Sequence, residues 1–302
     1  MKVNTSITKK LLFKLRHAVS SIVVVGIVLV VPVFSLVELG HFFRGDDSRS
    51  SAALPVLAKR QIDTTTLPAQ LFQEPLITVT FDDGFESVYN QAMPLLQKYG
   101  IHSTQYVITG TAKNLNYVSW DQVAQMQKAG HEIACHTVTH PDLTTLDDAS
   151  LDSQLKQCKA ELTNRFGPIT DFASPYGAQN PKTLSAISKY FDSQRNTNGD
   201  PTNGVSDADI NTAAKFNRYN IIGVTVRHDT SIEELTKLVD FTKANNGWLV
   251  LTYHQADEGT ASQFAVNPEN LEKQFSYLSK TNVRIVTMQD ALRATRLENV
   301  EF

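Results

Sequence analysis

The sequence predicts an α/β fold: a distorted (β/α) barrel of about seven strands, preceded by one N-terminal transmembrane helix. Two observations predict the barrel. From residue 74 onward, short apolar segments alternate with amphipathic ones seven or eight times, as expected for parallel strands joined by helices. Several of the apolar segments end in polar residues, where barrels of this kind carry their reactive side chains. A third observation, an uncharged stretch near the start of the chain, predicts the membrane helix.

The first 73 residues divide into three parts. Residues 1–17 carry five basic side chains and no acidic one, which predicts a cytoplasmic segment under the positive-inside rule. Residues 18–37 are uncharged and long enough to cross a bilayer, so 18–40 is predicted as a single-pass anchor in the cell membrane. A cleaved signal peptide is the alternative, although its apolar core is typically shorter. Residues 41–73 are polar and aperiodic and predict a tether, which leaves residues 74–302 as an extracytoplasmic domain.

The elements of that domain follow from their periodicity. Strands are predicted at 76–80, 104–108, 131–135, 170–173, 191–195, 248–253 and 283–286, with one or two more inside 216–226. Helices are predicted at 88–99, 119–130, 151–166, 180–190, 231–245, 268–280 and 287–296. Ser119 and Gln122 have the spacing of a capping box at the start of the second helix. Residues 196–211, rich in Asn, Asp and Gly, predict a loop that interrupts the repeat.

Composition narrows the classes of function. The net charge is −3 and there is no basic excess, which argues against nucleic acid as a partner. With only two cysteines, Cys135 and Cys158, the chain is not a disulfide scaffold. In an exported domain the two could form one disulfide, or they could be two buried free thiols. Sequence spacing does not decide between these, because a disulfide depends on the distance between the two Cα atoms.

A metal site is suggested by residues that follow two predicted strands. His136 and His140 lie four positions apart just beyond a strand, where a helical turn would let both imidazoles bind one ion. Asp83, which follows another strand, is the natural third ligand. Two His and one carboxylate, with an open position for water, form a common catalytic zinc set. An H-x-x-x-H pair taken alone is weak evidence, because surface and core histidines are more common.

Two further residues are candidates for proton transfer. Asp82 precedes Asp83, and because the two side chains point in different directions, one can bind metal while the other accepts a proton. His254 follows a strongly apolar strand and is a candidate general acid for a leaving amine. A histidine at the end of a strand that only bonds a backbone carbonyl is the alternative.

Four motifs together resemble the polysaccharide deacetylase family, also called carbohydrate esterase family 4 or the NodB-like domain. The family carries T-F-D-D-G, H-[ST]-x-x-H, R-x-P-[YF] and L-x-x-H motifs in this order. The matching segments here are Thr80–Gly84, His136–His140, Ala173–Tyr176 and Leu251–His254. Any one motif is weakly specific, whereas four in order, each after a predicted strand, are strongly specific. The resemblance covers residues 74–296.

The resemblance implies a role for each matching residue. It implies three ligands for a divalent ion, most simply Zn²⁺: Asp83, His136 and His140. It also implies that Asp82 is the catalytic base, that His254 is the general acid, and that the backbone N–H of Tyr176 helps to hold an oxyanion. The implied fold is a distorted (β/α) barrel with fewer regular units than eight.

One position departs from the family pattern. The third motif normally begins with an Arg that pairs with the catalytic Asp, but here the matching residue is Ala173. Arg218 and Arg227 are the candidates to supply this guanidinium from another strand. Asp229, by its location, is a candidate for the residue that orients His254.

The implied activity is metal-dependent removal of N-acetyl groups from an amino-sugar polysaccharide, with release of acetate. An extracytoplasmic domain favours a cell-envelope substrate such as peptidoglycan, poly-N-acetylglucosamine or a chitin-like polymer. Two alternatives remain. An O-acetyl esterase would use the same residues on an ester, and a glycan-binding module that lost catalysis would account for the missing Arg.

Overall fold

The structure is a computed structural model that describes residues 72–112, 114–257 and 262–295. Its strands are β1 Leu76–Phe81, β2 Thr104–Val107, β3 Glu132–Cys135, β4 Asp171–Ala173, β5 Ser193–Gly199, β6 Ile221–Thr225, β7 Trp248–Tyr253 and β8 Arg284–Ile285. Its α-helices are α1 Met93–Lys98, α2 Trp120–Lys128, α3 Asp148–Phe166, α4 Pro181–Ile187, α5 Ile232–Ala244, α6 Pro268–Leu278 and α7 Met288–Ala294.

Seven parallel strands close a barrel. Each strand from β1 to β7 pairs in parallel with the next, and β7 pairs back with β1. The β1–β7 ladder is the longest, with Leu76–Phe81 in register with Trp248–Tyr253. The other edge of β1 is shared, since its first two residues pair with β8 and its last two pair with the start of β2. The predicted parallel barrel of about seven strands is therefore confirmed.

The predicted N-terminal regions lie outside the described residues. These are the cytoplasmic segment 1–17, the anchor 18–40 and all but the last two residues of the tether 41–73. Within the part of the chain that the structure describes, no helix combines the length and apolar character needed to span a bilayer.

Apolar side chains fill both sides of the barrel wall. Because side chains alternate along a strand, Ile77 and Val79 face the helices and pack in one cluster with Leu155 of α3. Leu76 faces the other way and packs with Trp248 in a second cluster built mostly from strand residues. All five are 1% exposed or less. Truncating a buried Trp typically lowers the free energy of unfolding by about 3–5 kcal/mol. This second cluster therefore stabilises the start of β1, and the polar groups follow the carboxyl end of the strand.

The capping box predicted at the second helix is confirmed. The Ser119 N–H donates to Gln122 Oε1 at 2.7 Å, and the Gln122 N–H donates to Ser119 Oγ at 3.3 Å. Two orphan amide groups are thereby satisfied and the helix start is fixed.

Two predicted elements differ from the structure. The predicted loop 196–211 is wrong at its start, because β5 continues to Gly199 and pairs with β6 across a bulge. The polar residues at the end of this strand do not have the apolar pattern of a buried strand, and one of them, Asn196, donates its side-chain amide to Asn220 Oδ1 just before β6. The predicted helix 88–99 is interrupted, with a π-helical turn at Val88–Ala92 leading into α1. Pro94, which has no N–H, follows that turn directly.

A disulfide joins Cys135 and Cys158, whose Cα atoms are 6.1 Å apart. This decides the question that the sequence spacing left open. Cys135 is the last residue of β3 and Cys158 lies in the middle of α3, and both are fully buried. The bond therefore ties the end of one barrel strand to the helix that covers it.

Candidate metal centre and catalytic site

The predicted site residues converge on one rim of the barrel. Asp82 and Asp83 directly follow β1, His136 follows β3, and His254 follows β7. The carboxyl ends of parallel strands lie at the same end of a barrel, which brings these separate segments together.

Asp83, His136 and His140 form a cluster that fits a metal ion. One ligand atom from each lies within 4.8 Å of the others. Asp83 Oδ1 is 3.5 Å from His136 Nε2 and 3.4 Å from His140 Nε2. That oxygen is buried and has no hydrogen-bond partner among the described residues. A buried carboxylate oxygen that faces two imidazole nitrogens is costly to leave unsatisfied, and a divalent cation would satisfy all three atoms.

Local backbone conformation aims these ligands. Asp83 has φ 72°, in the left-handed region, and this separates its side-chain direction from that of Asp82. After His136 the backbone turns through two further left-handed residues, Thr137 at φ 66° and His140 itself at φ 59°. His136 Nδ1 donates a hydrogen bond to the Ala173 carbonyl oxygen at 2.9 Å. The proton is thereby held on Nδ1, and Nε2 is left free as a ligand.

The electrostatics of the cluster favour a cation. Burial raises the pKa of Asp83, but the adjacent His136, together with His254 and His140, brings it below its ordinary value. Burial lowers the pKa of His136, and Asp83 with Asp82 more than offsets this, so the pKa is raised. The pKa of His140 is lowered by burial and by the charge of His136. Two carboxylates thus lie beside two imidazoles, and a metal ion bound there would place a positive charge next to the carboxylates.

Asp82 lies beside the cluster and is held by a buried arginine. Its Oδ1 accepts a hydrogen bond from the Arg195 guanidinium at 2.5 Å, and both residues are 2% exposed or less. Its Oδ2 is 4.0 Å from His136 Nε2 and 4.0 Å from His254 Nε2. One oxygen is therefore fixed by Arg195, while the other faces the site.

The prediction that Arg218 or Arg227 replaces the motif Arg is wrong. Arg218 is half-buried in the turn before β6, and Arg227 is exposed beyond β6. Neither forms an ion pair with Asp82, whose partner is Arg195 of β5. One sequence signal could have indicated Arg195: it is a charged residue at the end of a predicted buried strand, one strand after the altered motif.

Three neighbours make room for Arg195 and support it. It is paired in register with Ala173 on the adjacent strand, so the two side chains share one face of the sheet. Gly223 on the other side lacks the Cβ that would lie 2.8 Å from Arg195 Cδ. The guanidinium carbon lies 4.9 Å from the centre of the Tyr106 ring, a cation–π arrangement. Two small neighbours and an aromatic ring thus accommodate the charged Arg195 side chain inside the barrel.

His254 directly follows β7, and its Nε2 lies 4.0 Å from Asp82 Oδ2. Burial lowers its pKa below the ordinary value, although Asp82 and Asp83 oppose this. Its ring lies 5.0 Å from that of Phe264, and its Nδ1 has no hydrogen-bond partner among the described residues. The prediction that Asp229 orients it is wrong, because the Asp229 side chain is 71% exposed and faces His228 instead.

Tyr176 forms an exposed wall of the site. Its side chain stands edge-on to the His140 ring at 4.6 Å, and the residue is 69% exposed. Its backbone is left-handed, at φ 60°, and its N–H donates to no backbone acceptor within the described ranges. An exposed aromatic face and a free amide donor therefore lie beside the metal cluster.

The fold and these residues define a class: a (β/α) barrel whose rim carries a His–His–Asp cluster that fits a metal ion, a buried carboxylate and a further histidine. The residues of this chain from 69 to 190 match the model of the polysaccharide deacetylase family. This segment of the chain is therefore similar to the polysaccharide deacetylase family. The matched segment includes Asp82, Asp83, both cluster histidines and Tyr176, whereas Arg195 and His254 lie beyond it.

Several curated proteins are similar in sequence. A chitin deacetylase of Pestalotiopsis sp is 30% identical over 166 residues, which are 53% of this chain and 55% of the relative. The poly-beta-1,6-N-acetyl-D-glucosamine N-deacetylase of Staphylococcus aureus is 29% identical over 133 residues, covering 39% of this chain and 46% of the relative. The chain thus spans about half the length of these curated relatives.

Solved structures share the fold. A peptidoglycan N-acetylglucosamine deacetylase superposes with a TM-score of 0.53 at 17% identity, over 74% of this chain and 90% of the other. The Xyl-CE4 domain of a multidomain xylanase from the hindgut metagenome of Trinervitermes trinervoides gives a TM-score of 0.51 at 19% identity, over 73% and 90%. At this level of identity the similarity concerns the barrel architecture alone.

Proposed function

We propose that the barrel domain is a Zn²⁺-dependent deacetylase that removes N-acetyl groups from an amino-sugar polysaccharide of the cell envelope. The observation that carries the proposal is the buried Asp82–Arg195 pair directly beside the Asp83–His136–His140 cluster. Three ligands of this kind leave a coordination position open for water or substrate, as in catalytic zinc sites.

The residues of the chain then have distinct tasks. Asp83, His136 and His140 would hold the ion, which when bound lowers the pKa of a water molecule and polarises the acetyl carbonyl. Asp82 accepts a proton from the attacking water at Oδ2, because its Oδ1 is already engaged by Arg195.

Two residues stabilise the later part of the reaction. The free N–H of Tyr176 donates to the developing oxyanion, and because its backbone is fixed in a turn, no reorganisation is needed. His254 donates a proton to the departing amine, and its lowered pKa makes its protonated form a stronger acid. The products are acetate and a free amino sugar, with no covalent intermediate.

The retained pair supports an enzyme rather than a binding module. A catalytically inactive glycan-binding module was suggested only by the missing Arg at position 173. Since Arg195 supplies a guanidinium to Asp82 from the neighbouring strand, that reason no longer applies.

The substrate class follows from chemistry at the rim. The exposed ring of Tyr176 offers an aromatic face for packing against a sugar ring, next to the metal ligand His140. The names of the relatives, chitin and poly-N-acetylglucosamine deacetylases, are consistent with an N-acetylated sugar polymer.

An extracytoplasmic location is part of the proposal. The predicted anchor 18–40, with five basic residues before it, would place the barrel outside the membrane. The buried Cys135–Cys158 disulfide supports this, because such bonds persist in oxidising compartments and are rare in the cytosol.

The test is acetate release by the full-length chain, purified in detergent and loaded with Zn²⁺. The substrates are N-acetylglucosamine oligomers, peptidoglycan and O-acetylated xylan. We expect release from an N-acetylated substrate, loss of that release with a chelator, and recovery when Zn²⁺ is added back. Release from xylan alone would indicate an O-acetyl esterase. No release from any substrate by folded, zinc-loaded protein would overturn the proposal.

A further inference from the structure

The loop that carries both metal-binding histidines has an unusual backbone. This loop, residues 136–140, is named the His loop below. Thr137 and His140 adopt left-handed conformations, although neither is glycine. For an ordinary residue this region is sterically unfavourable, and it is more so for a β-branched side chain such as Thr. The His loop therefore needs contacts from outside itself to keep its shape.

The strand side of the His loop is held by backbone hydrogen bonds. The Thr109 N–H donates to the Thr137 carbonyl at 3.1 Å, and the Gly110 N–H donates to the Val138 carbonyl at 2.9 Å. A Cβ on Gly110 would lie 2.4 Å from that same carbonyl oxygen, so only glycine permits the approach. The His136 N–H donates to the Val107 carbonyl at 3.0 Å, but these backbone contacts provide no acceptor for the amide groups of residues 137–140.

One side chain, Gln154 of α3, accepts from two of those amide groups. Its Oε1 accepts from the Val138 N–H at 2.9 Å and from the Thr139 N–H at 3.1 Å. Its Nε2 donates to Thr139 Oγ1 at 2.9 Å. The amide group of His140 is satisfied within the loop by Thr137 Oγ1 at 2.9 Å. The N–H groups of Val138 and Thr139, two of the three between the histidines, thus depend on Gln154.

The same helix holds the start of the His loop by a second attachment. Cys158 lies one helical turn beyond Gln154, on the same side of α3, and is bonded to Cys135, the residue before His136. α3 is long, is capped at its start by Asp147 and buries a stripe of leucines against the barrel. It is therefore a rigid support for the loop.

We propose that Gln154 is a positioning residue for the metal site: it holds the His loop in its left-handed form so that His136 and His140 face Asp83. The proposal rests on the proposed function, because it assigns a role in metal binding. Gln154 touches neither ligand side chain and acts through the backbone between them. Outer partners of metal ligands of this kind typically change affinity by about 10- to 100-fold.

The experiment compares three variants in the full-length protein. Gln154→Leu keeps the approximate volume and removes all three hydrogen bonds. Gln154→Glu keeps an oxygen that accepts from both amide groups, and Thr139 Oγ1 can donate to it. Gln157→Leu is the matched control, since Gln157 is exposed on the same helix and bonds only Ser153. Zn²⁺ affinity is measured by chelator competition, and amide exchange of the peptide 136–144 is measured by mass spectrometry on metal-free protein.

We expect Gln154→Leu to bind Zn²⁺ at least about 10-fold more weakly and to exchange the loop amide groups at least about 10-fold faster. Gln154→Glu should recover most of the Zn²⁺ affinity and most of the protection of the loop amide groups. Gln157→Leu should match wild type in both measurements. If Gln154→Leu matches Gln157→Leu in both measurements, the positioning role is wrong. If wild type binds no Zn²⁺, the proposed function fails, and amide exchange alone still decides whether Gln154 holds the loop.

Discussion

Arg195 is paired in register with Ala173 across two parallel strands, and its guanidinium reaches Asp82 from there. The charge expected at position 173 is therefore present at nearly the same place, carried by the neighbouring strand. Parallel strands lie only about 4.8 Å apart, a distance that a long flexible side chain spans easily. The ion pair is preserved although the motif that normally supplies it is altered.

Replacing Arg195 with Met should lower kcat/KM by about 100-fold or more and destabilise the fold by about 3–5 kcal/mol, because Asp82 would be a buried charge without a partner. The double variant Ala173→Arg/Arg195→Ala should recover a large part of both losses. Steady-state kinetics and urea unfolding measure the two effects. Arg218→Met serves as the control and should leave both unchanged. A double variant no better than Arg195→Met would show that the two positions are not equivalent.

Replacing Asp82 with Asn should reduce turnover by about 1,000-fold while Zn²⁺ still binds, because the amide cannot accept the proton of the attacking water. Asp83→Ala should instead abolish tight Zn²⁺ binding, because it removes one of three ligands. Acetate release and Zn²⁺ titration separate the two outcomes. Full activity in Asp82→Asn would remove Asp82 from the role of base.

Folding stability should fall in acid through His131, far from the site. Its Nδ1 accepts from the Ser103 N–H at 3.1 Å, so the native ring is neutral. Burial, with the nearby charge of His102, lowers its pKa from 6.5 to about 4. Between these values the unfolded chain binds the proton and the native protein does not, so stability is full above pH 6.5 and is lost as pH falls towards 4.

The loss attributable to His131 between pH 7 and pH 4.5 is about 2–3 kcal/mol. In the variant His131→Asn, whose side-chain oxygen can still accept from Ser103, that part of the pH dependence should disappear. Urea unfolding at the two pH values measures the difference between variant and wild type. An identical pH dependence in both proteins would mean that His131 titrates normally in the native state.

Removing the disulfide should cost about 3 kcal/mol in free energy of unfolding, the entropy expected for a loop closed over a sequence separation of 23. The variant is Cys135→Ala/Cys158→Ala, measured by urea unfolding under oxidising conditions. A reductant should lower the midpoint of wild type towards that of the variant and leave the variant unchanged. Equal midpoints for the two oxidised proteins would show that the bond adds no stability.

The candidate site was predictable from sequence to the extent that it depends on strand ends. Asp82, Asp83, His136 and His254 each directly follow a strand. Because periodicity locates strands, and parallel strands align their carboxyl ends, the convergence of these residues could be expected before the structure.

What could not be predicted depends on contacts between distant residues. The role of Arg195 comes from its register with Ala173, which sequence periodicity does not reveal. The end of β5 reads as a loop in the sequence because its Asn and Gly residues have low strand propensity, while pairing with β6 stabilises it nonetheless. Likewise, the Cys135–Cys158 bond depends on a Cα separation of 6.1 Å that spacing alone cannot supply.

The shared edge of β1 has a consequence for how the protein is made. β1 is wholly buried, yet its partners β7 and β8 lie some 170 to 210 positions later in the chain. During synthesis, most of this apolar strand therefore lacks its pairing partners until nearly the last helix has been made. Such long-range pairing is slow, and an exposed strand edge invites aggregation in the meantime. Production of this protein should therefore depend on keeping the partly folded chain soluble until its final strand has been made and can pair with β1.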